Sequence, residues 1–136
     1  MSCGIHKDPR GGKHYYAIGV RAIEESTTIS ADQFFQVGIY VGTVIGVDLN
    51  PKAKKPAYHI TVDFGHLGIK ESSAQLTVRY RPEDLIGRQI MAVTNLPVKK
   101  VAGVRSEVLI LGAVINEMDV VLLNVDSPVP NGTPIG

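Results

Sequence analysis

Apolar residues fall along this chain in short runs rich in Val and Ile, broken by Gly, Pro, Asn and Lys, a pattern that predicts strands rather than helices. Residues 89–113 show it most clearly. An apolar run from Ile90 to Val93 and another from Val108 to Leu111 flank a polar connection that carries Pro97, Gly103, Lys99, Lys100 and Arg105. Two buried strands joined by a basic, solvent-held connection are expected. Residues 57–64 alternate strictly, with Tyr58, Ile60, Val62 and Phe64 on one face and His59, Thr61 and Asp63 on the other. Residues 37–49 are also β-rich and carry Gly38, Gly42 and Gly46. In a regular strand those glycines share one face, where the missing side chains let the strand coil. Residues 69–78 make a weaker strand, interrupted by Glu71, Ser72, Ser73 and Gln75, and residues 119–125 make a last one.

Two short helical turns interrupt this pattern. Ser30 reads as an N-cap with Gln33 at the capping-box position, and Phe34 and Phe35 are expected to anchor that helix to the domain. Residues 81–87 start with Pro82, carry Glu83 and Asp84 early and stop at Gly87, so they read as a single turn. Five or six strands, with one helical turn between the third and fourth, predict an all-β OB-fold. The expected plan is a five-stranded Greek-key barrel with a short N-terminal helix, one inserted helical turn and a C-terminal β extension. A β-sandwich is the alternative, disfavoured by the scarcity of hairpin signals. Residues 30–136 would form the domain. Residues 1–29 would form an extension with no evident role, within which residues 14–23 could take a short strand or helix.

Composition narrows the class. The 136 residues are 44% hydrophobic and 20% charged, enough for one domain with its own core. Cys3 is the only cysteine, which excludes an internal disulfide. No apolar run has the length of a membrane span and residues 1–12 are too polar for a signal peptide, so a cytoplasmic location is expected.

The net charge of +1 hides a segregation. Residues 52–105 hold ten Lys or Arg against four Asp or Glu, whereas residues 106–136 hold four acids and no cation. A near-neutral protein arranged this way can present one positive face, although cations scattered over the whole surface fit the same counts.

Lys99, Lys100 and Arg105 supply attraction for phosphate, and Asn95 and Ser106 beside them can donate to and accept from a base or a 2′-hydroxyl. The opposing reading is a solvated turn whose lysines keep an edge soluble. Lys52, Lys54 and Lys55 lie after the first strand, in a loop that commonly touches ligand in OB-folds. Ser72, Ser73 and Gln75 can bond a nucleotide or an extended peptide, or can satisfy backbone groups at an irregular strand. Arg79 and Arg81 can extend the positive face. Tyr80 between them is better read as packing than as a stacking platform. Catalytic signals are weak. His59 and His66 accompany no nucleophile motif, Cys3 and His6 fall short of a metal set, and no cofactor is implied.

Several segments together resemble a known family: Lys54-Lys55-Pro56-Ala57-Tyr58, Val62-Asp63-Phe64-Gly65, Gly68-Ile69-Lys70, Ser72-Ser73-Ala74-Gln75, Asp84-Leu85-Ile86-Gly87-Arg88-Gln89, Asn95-Leu96-Pro97, Ser106-Glu107-Val108-Leu109 and Val129-Pro130-Asn131-Gly132. They are similar to CsaA, the small dimeric member of the tRNA-binding domains also appended to some aminoacyl-tRNA synthetases. The resemblance covers residues 30–136. It implies a non-catalytic OB-fold homodimer that binds tRNA, with Glu107 joining the residues above as a site position. Its alternative implication is an export-related chaperone that takes unfolded or precursor polypeptides in a groove lined by Leu96, Val98, Val101 and Val104. Those four residues equally suit a core or a dimer interface. Val37-Gly38-Ile39-Tyr40 departs from the family, which usually has an acid after the Val and an Arg after the Ile. Gly38 and Tyr40 therefore remove any ion pair or cation at that edge.

Overall fold

A computed structural model describes residues 27–136 throughout, together with the backbone of two short antiparallel strands, β1 (Ile5–Lys7) and β2 (Lys13–Tyr15). Of the expected strand or helix over residues 14–23, only the beginning falls within β2, and residues 16–23 lie outside the described residues.

Helix α1 (Ala31–Phe34) starts as its sequence directs. Ser30 accepts from Gln33 N at 3.1 Å and the Gln33 side chain accepts from Ser30 N at 2.8 Å, a complete capping box. The barrel follows as β3 (Ile39–Leu49), β4 (Tyr58–Asp63), β5 (Ile69–Ala74), β6 (Gln89–Val93) and β9 (Leu109–Ile110), in the antiparallel order β5-β4-β3-β6-β9. That order, with α2 (Pro82–Leu85) between β5 and β6, is the expected OB-fold plan. Closure is made from β5. Glu107 N donates to Glu71 O and the Ser72 hydroxyl donates to Val108 O, both at 2.8 Å.

The core holds the inward face of β4, namely Tyr58, Ile60 and Val62, with Phe64, Val44, Leu76, Ile90 and Ile110. Leu85 and Val120 plug it from α2 and from β11 (Asp119–Leu122). Tyr80 is buried and structural: its backbone carbonyl accepts from the Tyr58 hydroxyl, its own hydroxyl accepts from Leu122 N, and Arg88 stacks 5.1 Å from its ring. The end of the chain lies along the first half of β3, with Gly132 N donating to Val41 O and Ile135 N to Ile39 O. Gln89 holds this tail by bonding both the N–H and the carbonyl of Val129.

Four expectations change. Phe34 and Phe35 do not anchor α1: they pack edge to face at 5.4 Å and stay exposed, and the helix buries none of its residues. The three glycines do not share a face, because the register of β3 against β4 shifts between Val44 and Gly46. Gly42 consequently faces Val62 and Phe64 in the core, whereas Gly46 faces Thr61 on the outer surface. The strand expected over residues 69–78 ends at Ala74 and the last one at Leu122. Finally, the connection within residues 89–113 is itself folded. It contains a hairpin of β7 (Lys99–Val101) and β8 (Val104–Ser106), and the segment after β9 forms β10 (Gly112–Asn116), which pairs with β11.

Candidate nucleic-acid interface

The β7–β8 hairpin turns on two residues, Ala102 and Gly103, with φ of 47° and 84°. Positive φ at both central positions is the mark of a type I′ turn, one of the two-residue turns that match native strand twist. Gly103 adopts it freely, and Ala102 is held there against its preference. The pairing sets Lys99 opposite Ser106, Lys100 opposite Arg105 and Val101 opposite Val104. Val104 and Ser106 point inward and are buried, while Lys99, Lys100 and Arg105 stand in solvent. Alternation thus puts Lys100 and Arg105 on the face away from Val104 and Ser106, whereas Lys99 shares the face of Ser106 and lines the cleft beside it.

The second cationic loop, residues 50–57, meets the hairpin tip. Asn50 Nδ2 donates to Ala102 O at 3.2 Å, and a β-carbon on Gly103 would stand 3.1 Å from Lys52 Cδ. Lys52, Lys54 and Lys55 are thereby brought to the same end of the barrel as Lys99, Lys100 and Arg105. Lys55 also forms a 2.6 Å ion pair with Glu117, at the turn of the β10–β11 hairpin.

Other positions singled out from sequence have structural partners. Ser72, 2% exposed, uses its hydroxyl on Val108 O in closing the barrel. Asn95 spends both ends of its amide on the segment after α1, accepting from Gly38 N at 2.8 Å and donating to Gln36 O at 2.7 Å. Gly38 thus gives its backbone N–H to the Asn95 side chain. Arg79 makes a bidentate pair with Asp119, both distances 2.9 Å. The pair holds the Asp119 carboxyl below its ordinary pKa, chiefly through the hydrogen bond from Arg79, and raises Arg79 for the same reason. Ser73 lies half-buried opposite His59 on β4, and the His59 ring contacts Glu71 at 2.6 Å. Gln75 follows β5 half-buried, its Oε1 enclosed and without a hydrogen-bond partner. The outer face of β4 and β5 thus carries His59, Asp63, Glu71 and Ser73, and the candidate cations lie beside it on the loop over residues 50–57 and on the β7–β8 hairpin.

Leu96, Pro97, Lys99, Ser106, Glu107 and Val108 line a narrow cleft between the end of β6 and the hairpin. Glu107 reaches toward Arg105 at 3.8 Å. Of the four apolar residues considered for peptide binding, only Val98 is well exposed, at 50%; Leu96 and Val101 are half-buried and Val104 is buried. Among the described residues no group of His, Cys, Asp or Glu is placed to hold a metal, and no helix is long and apolar enough to cross a membrane.

Sequence reasoning missed Asn50 and the hairpin. Val101-Ala102-Gly103-Val104, a two-residue turn between β-branched residues, was the available signal for the hairpin. Nothing local announced the bond from Asn50 to Ala102, because the two residues are 52 positions apart.

Residues 39–134 match the family model described as a tRNA binding domain. The crystal structure of chaperone CsaA from Bacillus anthracis str. Ames is 48% identical, superposes with a TM-score of 0.78, and is matched over 81% of this chain and 100% of its own. The CsaA chaperone protein of Picrophilus torridus is 40% identical with a TM-score of 0.73, over 80% of this chain and 100% of its own. A methionine–tRNA ligase of Methanothrix thermoacetophila is 36% identical over 113 residues, which is 83% of this chain but only 16% of that enzyme.

Proposed function

As the chain belongs to the tRNA-binding domain family, we propose that it is a non-catalytic tRNA-binding protein of the CsaA type, taking RNA on the barrel end where its two cationic loops meet. One observation carries the reading: Lys52 and Lys54 from one loop and Lys99, Lys100 and Arg105 from the hairpin are exposed at one end of the barrel, joined through the bond from Asn50 to Ala102. Cations grouped on one surface attract a phosphate backbone, and folded RNA is recognised largely through its backbone and shape. Lys99, Lys100 and Arg105 supply attraction. Ser106 and Glu107 at the cleft, with Ser73 on β5 and Gln75 just after it, are the polar groups offered for selectivity. Ser72 acts behind the surface, and Asn95, itself exposed, acts as a support through its bonds to Gln36 and Gly38.

The reading includes a homodimer. Ile29, Phe34, Phe35 and Val37 leave an exposed apolar patch around α1, the kind of surface a partner subunit covers. The activities of full-length methionine–tRNA ligases do not carry over, since the chain matches only a small part of their length.

To test the reading, tRNA is titrated over a salt series. Log affinity should fall with log salt by about 0.7 to 0.9 per phosphate neutralised. Lys99→Glu combined with Lys100→Glu should abolish binding at moderate salt while the thermal melt is retained. Wild-type affinity in that double variant overturns the proposal.

A chaperone role is the second reading, favoured by exposed Val98 beside the cleft at Leu96 and Pro97. Loss of aggregation suppression in Val98→Asp, with the oligomer intact, supports it. Unchanged suppression removes this surface from consideration.

A further inference from the structure

The two cationic loops are distant in sequence, and one side chain ties them together. Asn50 is 8% exposed. Its Nδ2 donates to Ala102 O at the hairpin tip, at 3.2 Å, and its Oδ1 accepts from Lys52 N at 3.1 Å. Its backbone N–H closes the base of its own loop on Ala57 O, at 2.9 Å. The Lys52 side chain lies against Gly103, where an added β-carbon would stand 3.1 Å from Lys52 Cδ and push it aside by a few tenths of an ångström. Both side-chain bonds of Asn50 are therefore spent on loop backbone, one within its own loop and one across to the other.

We infer that Asn50 is a positioning residue that fixes residues 50–57 and the β7–β8 hairpin as one preorganised anion-binding surface. The ligand chemistry is a folded polyanion whose successive phosphates meet Lys52 and Lys100 together. Two loops that move independently would each have to be ordered on binding, and that cost would be subtracted from the affinity. A single locked surface avoids it and couples the contributions of its cations. The inference rests on the nucleic-acid reading above and deepens it, since it assigns a role to a neutral buried amide that never touches the ligand.

Asn50→Ser is the discriminating variant. A serine hydroxyl can still accept from Lys52 N but is too short to reach Ala102 O, and the protein's charge does not change. Bulk tRNA is titrated over a salt series with wild type and Asn50→Ser, each bearing Lys52→Ala, Lys100→Ala or both. The expected result is binding weakened about tenfold in Asn50→Ser at low salt, with a shallower salt slope. Lys52→Ala and Lys100→Ala should be non-additive in wild type and additive in Asn50→Ser. A merely structural role would lower the melting temperature and leave the slope and the coupling as they are. Should Asn50→Ser fail to fold, Gly103→Ala disturbs the same junction from the hairpin side with Asn50 in place, and the same losses are expected. Wild-type slope and coupling in a folded Asn50 or Gly103 variant overturns the inference while leaving tRNA binding intact. No binding by wild type itself overturns both.

Discussion

The Ser72 hydroxyl donates a 2.8 Å hydrogen bond to the carbonyl of Val108, and Ser72 is 2% exposed. A residue whose type suits nucleotide contact is thus part of the barrel's closure. Ser72→Ala leaves a buried carbonyl unpaired and should cost about 1 to 3 kcal/mol in denaturant unfolding. Affinity for tRNA, compared under conditions where both proteins are folded, should be unchanged. A selective loss of tRNA binding at full stability would return Ser72 to the interface.

Gly42 offers a sharper test of the register shift in β3. A β-carbon there would lie 2.6 Å from Val62 Cγ1 and 2.8 Å from Phe64 Cδ1, both in the core. Overpacking of that kind costs about 1 to 3 kcal/mol. Gly46→Ala, facing Thr61 at 3.4 Å, should cost clearly less. Equal destabilisation of the two in chemical denaturation would contradict the split of faces.

Arg79 and Lys100 are both exposed cations, but only Arg79 is held by a bidentate carboxylate, Asp119. Recruiting Arg79 to a phosphate means breaking that pair. Lys100→Ala should therefore reduce the salt slope of tRNA binding by about 0.7 to 0.9, one phosphate's worth. Arg79→Ala should leave the slope close to wild type. The reverse order in a titration series would place the interface on the β10–β11 side.

The same pair has a pH signature. Arg79 lowers the pKa of Asp119, so the contribution of this carboxylate is fully present above the ordinary aspartate range and is lost as pH falls through the lowered value. Asp119→Asn should melt at a lower temperature than wild type at neutral pH, and the difference should close at strongly acidic pH. The pKa of Arg79 is raised, so its side of the pair is lost only far above neutral pH. A difference independent of pH down to acid unfolding would rule the ion pair out as its cause.

The exposed Phe34 and Phe35 give the oligomer prediction. Phe34→Ser with Phe35→Ser removes apolar area from a helix that buries nothing against its own barrel, so monomer stability should change little. If the proposed dimer forms through this helix, sedimentation should shift from dimer toward monomer. A dimer unchanged at micromolar concentration would locate the subunit contact elsewhere.

Local pattern alone carried much of this fold. The alternation at residues 57–64, the Ser30 and Gln33 capping pair and the Pro82 to Gly87 turn each depend on neighbours within a few positions, and each appears where sequence placed it. The candidate cations were equally legible as residue types and as a charge segregation. Their partners were not. Asn95 reads as a base-contacting amide, and only the fold shows Gln36 and Gly38 bonded to its two ends; Arg79 reads as part of a positive face, and only the fold shows its pairing with Asp119.

Sequence by itself determined most of the barrel strands, the OB-fold plan and which segments carry positive charge, because periodicity and turn chemistry act over a few residues and close in only a few ways. Tertiary structure decided which polar groups remain available to a ligand. Hydrogen bonds such as Asn50 to Ala102, Ser72 to Val108 and Asn95 to Gly38 join residues 36 to 57 positions apart, and such distances become contacts only once the barrel has closed.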